Sequence, residues 1–171
     1  MRVRRLYVLL IAAVFALVGC GAPAAGESPG GRAAPTSAGP LLAFTATTLD
    51  GQPFDGMSLS GKPTVLWFWA PWCPICLQQA PGVREAVKRY GDKVNIVGVA
   101  GLDHVEAMPE FVRLAKVEAM VHLADEAGHV WRRFQVTAQS TFVLIDTNGT
   151  VTFRGRLDAD EVAGRVAALL S

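Results

Sequence analysis

Apolar side chains recur along this chain with two distinct periods. Unbroken apolar runs of strand length stand at residues 64–69 (TVLWFW) and 95–100 (NIVGVA), and their β-branched and aromatic content predicts strands buried on both faces. A similar run predicts a strand at 141–145 (TFVLI), followed by a turn at Asn148-Gly149 and a strand over 150–154. Shorter strands are expected at 42–48, ahead of a turn at Asp50-Gly51, and at 120–124, while 56–62 reads as a loop ended by Pro63. Helical spacing takes over in between. Residues 75–90 carry an apolar stripe at Ile75, Ala80, Val83 and Val87, with Gly91 as the stop. A second helix is predicted over 105–116, its start delayed by Pro109, and a third over 125–134, capped by Asp125 with Val130, Trp131 and Phe134 on one face. A last helix runs from about Asp158 with Val162, Val166, Leu169 and Leu170 inward. Strands alternating with helices and closing on a hairpin and a helix predict an α/β fold, a mixed central β-sheet flanked by helices.

The first forty residues follow neither period. Arg2, Arg4 and Arg5 precede an uncharged apolar run from Leu6 to Val18, the pattern of an export signal over residues 1–19, and the run is short for a membrane span. It ends in LVGC, which resembles the lipobox of bacterial lipoproteins; the resemblance implies cleavage before Cys20 and a lipid on its sulfur. Residues 20–40 then hold small residues, prolines and only Glu27 and Arg32 as charges, too little apolar surface to order a segment, and predict a disordered tether. The folded domain is expected over 41–171, at the extracytoplasmic side of the membrane, where disulfides persist.

Charge narrows the function classes. Taking Arg2, Arg4 and Arg5 from the 16 basic residues leaves 13 against 15 acidic ones, a formal charge of −2. No basic patch with interleaved aromatics appears, so nucleic acid is not an expected partner. The informative chemistry is Trp67 to Cys76 (WFWAPWCPIC), which holds three of the four Trp and two of the three Cys. Cys73 and Cys76 fall where a buried strand gives way to a helix, so the first sulfur meets the unpaired N–H groups and positive end of that helix. Those features favour a thiolate, the species that attacks in disulfide exchange, and Pro74 suits the first helical turn. A zinc site needs about four ligands, and His104, His122 and His129 have no paired-ligand spacing; they read as surface or capping residues. A purely structural bridge across two residues closes too small a loop to stabilise much. Redox exchange is therefore favoured, with the disulfide itself as redox centre and no other cofactor or metal expected.

The stretches FWAPWCPIC, LDGQPF and FVLIDTNGTV together resemble the thioredoxin fold, and in particular the exported thioredoxin-like proteins of the TlpA and Dsb type. GKPTVLWFWAPWCPIC, VGVAGLD and the ending Glu161 to Leu169 bring the chain closest to the actinobacterial DsbE/DsbF group. The resemblance implies a thioredoxin fold with an N-terminal β extension. It also implies a thiol:disulfide oxidoreductase in which Cys73 and Cys76 are catalytic and Trp72, Pro74, Ile75, Gln139, Ser140 and Thr141 shape a client groove, Trp72 at an exposed rim. Relatives of this kind either oxidise secreted clients or keep exported thiols reduced for cytochrome c assembly. The implied partners are exported protein thiols or disulfides and a membrane redox partner that resets the pair.

Three positions depart from that pattern. The proline that usually faces the active-site disulfide aligns with Ser140, and the chain has no proline after Pro109. A non-proline cis bond costs about 2.5–4 kcal/mol, so a trans Gln139–Ser140 bond is expected, with the serine hydroxyl or N–H turned towards Cys73. Trp67 stands where thioredoxins often have a buried Asp, and Gln79 where many relatives have a Glu; neither serves as a general base. Core packing is the reading for Trp67, Trp69 and Trp131. The favoured function is an oxidase of exported thiols, with a reductant for cytochrome c maturation, or a non-catalytic carrier of a soft ion such as Cu(I), as alternatives.

Overall fold

The computed structural model describes residues 39–171, so the expected signal, Cys20 and nearly all of the expected tether lie outside the described residues. The strands are β1 (Thr45–Thr48), β2 (Pro53–Asp55), β3 (Thr64–Trp69), β4 (Asn95–Ala100), β5 (Val121–Ala124), β6 (Thr141–Ile145) and β7 (Val151–Arg156). The helices are α1 (Pro74–Tyr90), α2 (Met108–Ala115), α3 (His129–Arg133) and α4 (Ala159–Ala168). The seven strands form one sheet in the order β2-β1-β5-β4-β3-β6-β7. The centre, β3-β4-β5, is parallel, as its helical crossovers require, and every other pairing is antiparallel.

β3 is buried at every position, and its alternation divides the core between two layers. Val65, Trp67 and Trp69 face α1, α2 and α4, meeting Ala80, Val83, Phe111, Val162 and Val166; Leu66 and Phe68 face α3, meeting Trp131 and Phe134. Helix α1 packs against α4 at Gly82, where a Cβ would fall 2.0 Å from the Ala159 carbonyl oxygen, so no larger residue lets the two backbones approach this closely. Asp158 and Glu161 close α4 with a reciprocal capping box.

Several expected boundaries move. The expected strand 42–48 begins only at Thr45, because Pro40–Leu42 forms a 3-10 turn that buries Leu42 and offers the carbonyls of Pro40 and Leu41 to Arg133. A strand at Pro53–Asp55, three residues long and opened by a proline and so too short to show a period, completes the first hairpin, and Gly56–Leu59 within the expected loop is a 3-10 turn. The helix expected over 125–134 shrinks to α3, since Gly128 takes a left-handed φ of 68°; Asp125 caps it from outside, accepting the N–H groups of His129 at 2.7 Å and Trp131 at 2.8 Å. Leu170, expected inward, lies beyond the end of α4 and is exposed. His104 and His129 are exposed as expected, but His122 is buried on β5, edge-on to the Trp69 ring. Among the described residues no helix is long and apolar enough to cross a membrane.

Candidate active site

The chain leaves the sheet at Trp69 and enters α1 five residues later, with Cys73 as the N-cap residue in an extended conformation and Pro74 at the first helical position. That geometry turns Cys73 Sγ onto the open end of the helix, where the Cys76 amide donates to it at 3.0 Å. One helical turn later, Cys76 faces the same sulfur, and the two form a disulfide with Cα atoms 5.3 Å apart. Both cysteines are buried, Cys73 at 1% exposure and Cys76 at 0%. Trp72 beside them is 54% exposed, its indole N–H donating to the Leu102 carbonyl at 3.2 Å.

Antiparallel pairing brings the second half of the site. β6 begins at Thr141 opposite Phe68, so the preceding residue, Ser140, lies next to the end of β3 where the cysteine turn departs. Ser140 has a φ of 66°, a left-handed conformation closed to proline and uncommon for any residue but glycine. Its hydroxyl lies 3.3 Å from Cys73 Sγ and 3.4 Å from Cys76 Sγ. Gln79, one turn after Cys76 on α1 and also buried, accepts the Trp67 indole N–H on Oε1 at 3.0 Å. Its Nε2 donates to the carbonyls of Ser140 at 3.0 Å and Leu157 at 2.8 Å. The partners fix the amide's orientation, since an indole N–H only donates and a carbonyl only accepts. The surroundings are buried and aromatic: Trp67 stacks with Phe142, and Trp69 with Phe111 at a centroid separation of 4.2 Å.

Of the expected groove, Trp72 and Pro74 are exposed, Ile75, Gln139 and Thr141 are half-buried, and Ser140 is buried. Ser140 is the loop residue whose side chain bonds the sulfurs, whereas the Thr141 hydroxyl turns back to the Ala138 carbonyl at 2.8 Å. Trp67, Gln79 and Ser140 each stand out in the sequence, but their contact with one another does not. The Leu157 and Leu102 carbonyls have no sequence signal, since a main-chain acceptor leaves no trace in residue identity.

A family model described as AhpC/TSA matches residues 37–154. The chain belongs to the AhpC/TSA family. The soluble secreted antigen MPT53 of Mycobacterium tuberculosis is 46% identical to this chain over 134 residues, 76% of each chain. A solved structure of M. tuberculosis dsbF, in mixed oxidised and reduced forms, superposes with a TM-score of 0.71 at 50% identity, covering 75% of this chain and 96% of that one. A secreted M. tuberculosis disulfide oxidoreductase homologous to E. coli DsbE gives a TM-score of 0.69 at 43% identity, covering 75% and 97%. This AhpC/TSA domain is thioredoxin-like, its seven-stranded mixed sheet flanked by helices. The chain is a thiol:disulfide oxidoreductase of the DsbE/DsbF type with a Cys-x-x-Cys pair.

Proposed function

We propose that the protein acts outside the cytoplasm, held at the membrane by a lipid on Cys20, and oxidises thiols of exported proteins through Cys73 and Cys76. A client thiolate attacks Cys73 Sγ; the Cys73–Cys76 bond breaks, a mixed disulfide forms, and Cys76 leaves with the electron pair. A second client thiolate then attacks the client sulfur, Cys73 leaves as a thiolate, and the client keeps a new disulfide. The protons lost by the client thiols pass to the cysteine pair or to water, and a membrane redox partner re-oxidises the pair.

The observation that supports this reading is the hydrogen bond from the Cys76 amide to Cys73 Sγ at the start of α1. A donor and the positive helix end stabilise the thiolate, hence the reduced form, and a pair whose reduced form is stabilised is the stronger oxidant. Gln79 adds to this by putting a neutral amide where a carboxylate would oppose a thiolate charge. The exposed Trp72, with Pro74, Ile75 and residues 139–141, supplies the client groove. The secreted state of the mycobacterial relatives supports an exported location, and the LVGC sequence supports the lipid.

The test uses the full chain with Cys76→Ser, expressed in an exporting bacterial host. Mixed disulfides with exported proteins are expected through Cys73, recovered in the membrane fraction and shifted to the soluble fraction by a further Cys20→Ser. Absence of any mixed disulfide, together with undiminished oxidation of a reduced client by Cys73→Ser, would rule the reading out.

A further inference from the structure

Trp67, Gln79 and Ser140, the three departures from the usual thioredoxin-like pattern, form one connected hydrogen-bonded chain ending on the disulfide. We infer that the Ser140 hydroxyl is the donor shared by both sulfurs as each leaves as a thiolate, and that Gln79, braced by Trp67, is the positioning residue that holds it there. The inference rests on disulfide exchange at Cys73–Cys76.

The geometry meets the chemical need at both steps. Ser140 Oγ stands nearly equidistant from the two sulfurs, so rotating only the O–H bond aims its single proton first at Cys76 and then at Cys73. No other hydrogen bond occupies this hydroxyl among the described residues. In a buried, aromatic setting a donor to a developing thiolate acts with little screening, so its effect exceeds that of the same bond in water.

The position of that hydroxyl depends on a left-handed backbone that serine does not favour, and such a conformation persists only where neighbours over-determine it. Gln79 supplies that constraint by donating to the Ser140 carbonyl and, with its other N–H, to the Leu157 carbonyl, while Trp67 fixes its oxygen. A glutamate cannot replace it: ionised, it meets both carbonyls with acceptors only, and protonated it donates to just one. Gln79 is thus the residue type this network requires. Because every member is neutral and does not titrate between about pH 4 and 8, the donor stays in place across that range.

The test is the exchange equilibrium of the full chain with glutathione, measured from pH 4 to 8 together with the thiolate absorbance of Cys73. Ser140→Gly removes the hydroxyl yet tolerates the left-handed φ, and Ser140→Ala removes it without that tolerance. Both are expected to shift the equilibrium towards the disulfide by roughly tenfold or more and to raise the Cys73 thiol pKa. Gln79→Met is expected to shift it in the same direction in the wild-type background but not in Ser140→Gly, as a residue acting through Ser140 must. Gln79→Glu should add a titration step that the wild type lacks. Wild-type values in a folded Ser140→Gly variant, or an equal Gln79→Met effect in both backgrounds, would overturn the inference alone. A wild type that does not exchange with glutathione would overturn the exchange reading and this one with it.

Discussion

His122 carries the clearest pH signature among the individual residues. Burial lowers its pKa below the ordinary histidine value, more than its hydrogen bond with the Val117 carbonyl and the charges of Asp50 and Glu118 raise it. The folded protein therefore binds fewer protons than the unfolded chain below about pH 6.5, and stability falls as the pH drops from there until the lower folded value is passed. Thermal melting is expected to show this loss on acidification, and His122→Gln to flatten it; an unchanged slope in the variant would remove His122 as its cause. This burial was not legible in the sequence. A lone histidine on a short strand carries no sign that Gly98 of the neighbouring strand leaves room for its ring, where a Cβ would fall 2.2 Å from His122 Nδ1. Ser140 and Gln79 were legible as departures, because each replaces a residue type with a different hydrogen-bonding inventory. Their contact was not, since 61 residues separate them in the chain.

Among the elements, α1 has two tasks: it presents Cys73 at its open end and anchors the site through α4. The anchoring is concentrated at Gly82, whose missing Cβ is what lets α1 lie against the Ala159 carbonyl. Gly82→Ala is expected to force the helices apart and cost about 1–3 kcal/mol in denaturant unfolding despite alanine's better helix propensity. A neutral or stabilising result would show that the helices slide without cost. The central elements were readable because a fully buried strand needs a continuous apolar run: β3, β4 and β6 match the expected 64–69, 95–100 and 141–145. The elements that moved, the turn at Pro40–Leu42, the strand Pro53–Asp55 and the short α3, are those in which one Pro, one Gly or one polar hairpin outweighs periodicity.

At the scale of the whole molecule, every donor directed at the sulfurs among the described residues acts in one sense. The Cys76 amide, the helix end and the Ser140 hydroxyl all stabilise thiolates, and the neutral Gln79 does not oppose them. The sequence pointed to the cysteine pair and its class and favoured oxidation without fixing a potential, because the potential depends on hydrogen bonds to sulfur that neither Pro74 nor Ile75 encodes. The equilibrium reduction potential of Cys73–Cys76 against glutathione tests the resulting account most directly. An oxidant is expected near about −150 mV, whereas a value below about −250 mV would mark a reductant and contradict the account.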